Sequence, residues 1–223
     1  MLEEHEVSCD YRHCLKLGAL DMAKRKLLPK TKAPIEAVFL GIDSSKNKSG
    51  AVSLAPIYDD DSGAFTGEYE RLMFNTVAHK EQSLRAEFVE TAAEEAHELK
   101  VPLVIVAEDW TPGGKRVTFD TIKALGQGWG LWESEILTQV PEAVLIQYKP
   151  AEWRELVFTW RYPKGREAVK KFAMEHIKKV WGFEVGEDIA EAGCIALAGT
   201  HSGEVAEALT KIAPSKKRKK KVR

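Results

Sequence analysis

Ala37-Val38-Phe39-Leu40-Gly41-Ile42-Asp43 is an apolar run that ends on a carboxylate, and Val104-Ile105-Val106-Ala107-Glu108, 65 residues further on counted acid to acid, does the same. Short apolar runs of this kind read as buried strands. Two strands that stop on acids put negative charge at one edge of a sheet, and in an open α/β sheet the crevice beyond the carboxyl ends of the strands is where ligands bind.

The pattern on either side fills in that sheet. Strand-like alternation covers 36–43, 49–57 and 69–77, with a polar turn through Asp59-Asp60-Asp61-Ser62-Gly63, which together suggest an antiparallel meander. Helix then alternates with strand: an amphipathic helix over 80–99, a buried strand over 103–108, a helix over 117–139 after Pro112-Gly113-Gly114, and a strand over 143–148. The last third reads as helices over 150–158, 165–180 and 187–210. The expected architecture is a mixed five-stranded α/β sheet flanked by helices. Upstream, residues 8–28 carry apolar positions at helical spacing up to Pro29, and Lys30–Pro34 reads as a linker. The expected organisation is an N-terminal helical extension over 1–34, a main domain over 35–212 and a disordered basic tail over 213–223, with no internal repeat.

A third acidic cluster falls late in the chain. Asp188-Ile189-Ala190-Glu191 spaces two carboxylates at i and i+3, on one face of a helix. If Asp43, Glu108, Asp188 and Glu191 converge, they repel one another unless cations fill the site, and hard oxygen ligands suit Mg²⁺ or Mn²⁺ rather than zinc. The corresponding chemistry is two-metal phosphodiester hydrolysis.

Composition narrows the class. No run approaches the roughly 20 apolar residues of a membrane helix, and the N-terminus lacks the pattern of a signal peptide, so the expectation is a cytoplasmic protein with no membrane partner. Cys9, Cys14 and Cys194 are odd in number and irregularly spaced, which argues against a disulfide framework. His5, Cys9, His13 and Cys14 crowd the N-terminal segment, but their spacing matches none of the usual zinc patterns. The segment Lys216-Lys217-Arg218-Lys219-Lys220-Lys221-Val222-Arg223 holds seven of the 33 Lys and Arg and no acid, so a chain of net charge −1 carries −8 over residues 1–215. Such a block is read as a nucleic-acid arm, a solvated tail or an import address.

Several motifs in order carry a family resemblance. Gly41-Ile42-Asp43-Ser44-Ser45 followed by Ser49-Gly50-Ala51-Val52 is similar to the opening of RuvC-type Holliday junction resolvases, which read G-I-D-P-G, then T-G, then an apolar strand. Here Ser44 and Ser45 replace the Pro and Gly of that turn. Ala107-Glu108-Asp109-Trp110 resembles the family's second acidic strand end, and Leu125-Gly126-Gln127 its L-G-Q. Tyr148-Lys149-Pro150-Ala151-Glu152-Trp153-Arg154 resembles Y-x-P-x-x-V-K, with Arg154 for the lysine, and Arg166 falls where the family has a second basic residue. Asp188-Ile189-Ala190-Glu191-Ala192 resembles D-x-A-D-A, with Glu191 for the second Asp. The match runs through residues 36–205.

The resemblance implies an RNase H-like fold, a divergent and phage-type member, and a bacterial cell or phage-infected host. It implies cleavage of four-way DNA junctions with two Mg²⁺ per site, Mn²⁺ substituting, leaving 5′-phosphate and 3′-hydroxyl ends. Asp43 would bridge the ions, Glu108 would bind one, and Asp188 and Glu191 would complete the shell. Arg154, Arg166, Lys115 and Arg116 would contact phosphates, as would the tail residues Lys216, Lys217, Arg218, Lys219, Lys220 and Lys221. Trp110 stands where the family places an aromatic near the junction centre, whereas Trp129, Trp132, Trp153, Trp160 and Trp181 fall at apolar positions suited to core or interface. Paired cuts require a C2 homodimer, expected through an apolar stripe of Leu125, Trp129 and Trp132 on the 117–139 helix, with Gly126, Gly128 and Gly130 allowing close approach. The rivals are another RNase H-like nuclease acting on RNA–DNA hybrids or in packaging, a non-catalytic junction-binding protein, and an actin-like ATPase. The last would need a nucleotide cofactor and a second domain for which 223 residues leave little room.

Overall fold

Five strands hydrogen-bond in the order β3-β2-β1-β4-β5 in a computed structural model that describes residues 27–45, 47–109, 118–158 and 162–212. The elements are β1 (Val38–Ser44), β2 (Lys48–Tyr58), β3 (Phe65–Ala78), α1 (Gln82–Leu99), β4 (Leu103–Glu108), α2 (Phe119–Gln139), β5 (Val144–Tyr148), α3 (Pro150–Phe158), α4 (Arg166–Trp181), α5 (Glu187–Thr200) and α6 (Gly203–Ile212). The sheet is mixed, as the meander and the later alternation require: β1–β2 and β2–β3 are antiparallel, β1–β4 and β4–β5 parallel.

Strand alternation divides the core into two layers. Val38, Leu40, Ile42, Ala51, Ile105 and Ala107 face α1 and α2, where they meet Phe88, Trp129 and Trp132. Phe39, Val52, Leu54, Val104 and Val106 face the opposite layer, built from α3 to α6 with Trp153, Ile177, Ile195 and Val205. β1 is buried along its whole length, which explains its unbroken apolar sequence.

Three sequence expectations are corrected. The 187–210 helix is two helices, because Ser202 caps a new one: its Oγ accepts from the backbone N–H of Glu204 at 3.1 Å and of Val205 at 3.3 Å, and Tyr148 Oη contacts the same hydroxyl. β3 begins at Phe65, four residues before the alternation suggested. Trp129 and Trp132 do not lie on a surface stripe, being 4% and 1% exposed in the core of their own chain.

The 30–34 stretch is tied to the domain. Thr31 N donates to His201 O at 2.9 Å and Ile35 N to Thr200 O at 2.7 Å, so this segment crosses the α5–α6 break. The expected 8–28 helix, save its last two residues, and the basic tail lie outside the described residues, as do Cys9, His13, Cys14 and Trp160. Among the described residues no helix is long and apolar enough to cross a membrane.

Candidate active site

The parity that sorts the core also aims the acids. Asp43 follows Phe39 and Gly41 at even spacing, and Glu108 follows Val104 and Val106, so both carboxylates leave the sheet on the α5 face. Ile42 pairs with Ala107 in the parallel β1–β4 register, which sets Asp43 and Glu108 at the adjacent carboxyl ends of two central strands.

α5 reaches them because two strand positions have no side chain. A Cβ on Gly41 would overlap the carbonyl of Ala192 and lie 2.7 Å from Ala196 Cβ, and one on Gly50 would overlap the carbonyl of Asp188. Gly50 is the cross-strand partner of Asp43. The first turns of α5 therefore lie directly over the end of β1, and they carry Asp188 and Glu191.

The electrostatics record the convergence. Asp43 is 7% exposed, and its carboxyl is pushed well above the ordinary carboxylate range, by burial first and then by Glu108, Glu191 and Asp188, with Lys170 opposing. Glu108 is raised to about 7 by burial, against the hydrogen bond from Trp153; Glu191 adds to the rise, while Arg154 and Arg166 oppose it. Burial also raises Glu191, against Arg154, Lys170 and Arg166. Four acids from three separate elements thus share one field.

Three of the four acids have a partner. Trp153 Nε1 donates to Glu108 Oε2 at 2.7 Å, Arg154 Nη2 lies 3.8 Å from Glu191 Oε1, and Lys48 Nζ lies 2.5 Å from Asp188 Oδ2. The Arg154 guanidinium stacks over the Trp153 ring at 4.9 Å, and its buried Nε has no hydrogen-bond partner. Lys170 donates to Glu187 Oε2 at 2.6 Å. Among the described residues, no three Asp, Glu, His or Cys side chains close into a ready metal cage. Glu108, Glu191 and Asp188 all act electrostatically on Asp43.

The solved structure of Thermus thermophilus RuvC aligns with a TM-score of 0.50 at 15% identity, over 74% of this chain and 98% of that one. Its complex with a Holliday junction substrate gives the same TM-score and coverage at 14% identity. The chain has the RNase H-like fold of RuvC. The yeast mitochondrial Holliday junction resolvase Ydc2 aligns more loosely, with a TM-score of 0.41 at 14% identity over 84% of this chain and 89% of that one. No family profile and no curated protein matches the sequence.

On this RuvC-like sheet, six of the residues singled out in the sequence come together: Asp43, Glu108, Asp188, Glu191, Arg154 and Arg166. Trp110, Lys115, Arg116 and the tail lysines and arginine lie outside the described residues. Three residues at the site escaped sequence reasoning. Lys48 stands two positions before Gly50, so strand alternation alone would have put it on the α5 face. Lys170 follows Arg166 at i+4, on the same helical face. Trp153 reads as core, which it is at 0% exposure, but its indole N–H is what orients Glu108.

Proposed function

We propose that the chain is a divalent-metal-dependent endonuclease that cuts four-way DNA junctions. The observation that carries this reading is the position of Asp43, whose carboxyl is repelled by Glu108, Glu191 and Asp188 together at the carboxyl edge of a RuvC-like sheet.

The donor set fits hard divalent cations. Carboxylate oxygens are the ligands that Mg²⁺ and Mn²⁺ take, and the repulsion at Asp43 is what a cation would relieve. Asp43, Glu108, Asp188 and Glu191 are the residues that would hold two ions. Such a pair, when bound, supplies an activated water and stabilises the attacking and leaving oxygens of an in-line displacement. The protein's own residues do the rest. Burial in β1 fixes Asp43, the indole of Trp153 fixes the orientation of Glu108, and Arg154, partly exposed beside Glu191, offers its guanidinium to a phosphate. Arg166 and Lys170 add positive charge on the α4 side. The products expected are 5′-phosphate and 3′-hydroxyl ends.

Resolution requires two matched cuts, which a C2 homodimer supplies. With Trp129 and Trp132 turned inward, α2 leaves Lys123, Gln127, Gly130, Leu131, Ser134 and Leu137 outward, and this is the face we assign to the partner copy. A monomer by light scattering at micromolar concentration, with and without junction, would reject it.

The test is cleavage of a synthetic four-way junction in Mg²⁺ beside plain duplex and an RNA–DNA hybrid. Selective junction cleavage is expected, lost in Asp43→Asn and Glu108→Gln while junction binding is retained or tightened, since negative charge facing phosphates has been removed. Preferential hydrolysis of the hybrid would reassign the substrate, and retained cleavage in either variant would remove the acids from the mechanism.

A further inference from the structure

Lys48 sits where a cation is expected. It opens β2, and Ser45 pins its backbone by donating both its N–H, at 3.0 Å, and its hydroxyl, at 2.5 Å, to Lys48 O. Ser45 lies two positions beyond Asp43, so these bonds hold the start of β2 close to the end of β1. Lys48 lies on the same strand face as Gly50, beneath the first turn of α5, and its Nζ contacts Asp188 Oδ2 at 2.5 Å. The lysine side chain is 52% exposed and the aspartate 20%, so one end of this pair opens to solvent.

A half-exposed ion pair is weak, and an ammonium on a flexible four-carbon stem can exchange partners readily. The other basic residues differ. Lys170 is engaged with Glu187, which is not among the four acids, and Arg154 approaches Glu191 only at 3.8 Å. Lys48 alone among the described cations makes a close ion pair with one of the four.

We propose that Lys48 is an intrinsic counter-ion for the unloaded site, exchanging places with the divalent cation. Without metal its ammonium neutralises Asp188. When a divalent ion takes that carboxylate, Lys48 is released toward solvent at the mouth of the site, where it contacts a phosphate of the DNA. The exchange rests on the ion-site reading above.

Two readouts independent of cleavage test the exchange. In titration calorimetry with Mn²⁺ and no DNA, Lys48→Met should bind the ion about two- to fivefold more tightly than wild type, the scale of one partly exposed ion pair, while Lys48→Arg should stay near wild type. In fluorescence anisotropy with a labelled junction, Lys48→Met should lose about one phosphate contact, seen as a decrease of about 0.9 in the steepness of log affinity against log salt. That loss should occur with Ca²⁺ present and not in EDTA. Equal loss in both conditions would make Lys48 an ordinary DNA contact and overturn the exchange. Wild-type uptake of Mn²⁺ that is unchanged or weakened in Lys48→Met would overturn it as well. Mn²⁺ uptake by neither protein would overturn the ion-site reading and this inference with it. Thermal melts of both variants within a few degrees of wild type would establish that the half-exposed position tolerates the changes.

Discussion

Glu108, with Asp43 and Glu191 raised beside it, contributes to the pH behaviour of the ion-free protein. A carboxyl near 4.3 in the unfolded chain is held at about 7 in the folded one, so between those values the native state keeps a proton that the unfolded state has lost. Stability from this group is full below about pH 4.3 and is lost as pH rises through about 7. Melts in EDTA should therefore fall across that window, and Glu108→Gln, which cannot titrate, should flatten the slope. Cation uptake must displace the proton, so Mg²⁺ should raise the melting temperature more at pH 8 than at pH 6. Trp153→Phe removes the donor that opposes the rise, and the pH at which Mn²⁺ uptake is half-complete should move upward. An unmoved midpoint would mean the indole packs without tuning the acid. Asp43 and Glu108 were legible because acids at the ends of apolar runs are conspicuous, and Asp188 and Glu191 because their i, i+3 spacing puts two carboxylates on one helical face. Lys48 was not, because a lysine beside a turn looks like any solvated charge until strand parity and the overlying helix are known.

α5 is placed by what Gly41 and Gly50 lack. Gly41→Ala would drive a methyl into the carbonyl of Ala192, and overpacking of this kind costs roughly 1–3 kcal/mol, about 2–4 °C in melting temperature per kcal/mol for a domain of this size. Because the strain falls on the helix that carries Asp188 and Glu191, cleavage should drop by more than the folded fraction does. Circular dichroism and junction cleavage measured on one preparation would separate the two effects, and proportional losses would reject the positional role. At this level the sequence was readable in the strands, whose period and acids agree, and in α3, whose expected bounds are those observed. It misled in the Ala-rich C-terminal segment, where periodicity runs on through Ser202-Gly203 and conceals the cap that starts α6. Trp129 and Trp132 misled for a related reason: a helical apolar stripe is identical in sequence whether it meets a sheet or a second protomer.

Charge is the property the molecule carries as a whole. With −8 over residues 1–215 and seven positive residues in the last eight, the body repels DNA at long range while the tail attracts it. Truncation after Ala213 should weaken binding to junction and plain duplex alike and flatten the salt slope by about 0.9 for each phosphate released. The position of the cuts should be unchanged, because backbone contacts position without selecting. A salt slope equal to that of the full chain would make the segment a solvated tail or an address. The order in which the acids are made adds a last consequence. Asp43 and Glu108 belong to strands completed early, whereas Asp188 and Glu191 arrive on a helix that also fills the core beneath them, with Ile195, Ala196 and Ala198 at 0% exposure. A chain still being translated, or clipped before residue 187, lacks two of the four clustered acids and the wedge that closes its interior. On the proposed chemistry, the blade is sheathed until α5 has been made, and a fragment clipped before it is harmless to the genome that encodes it.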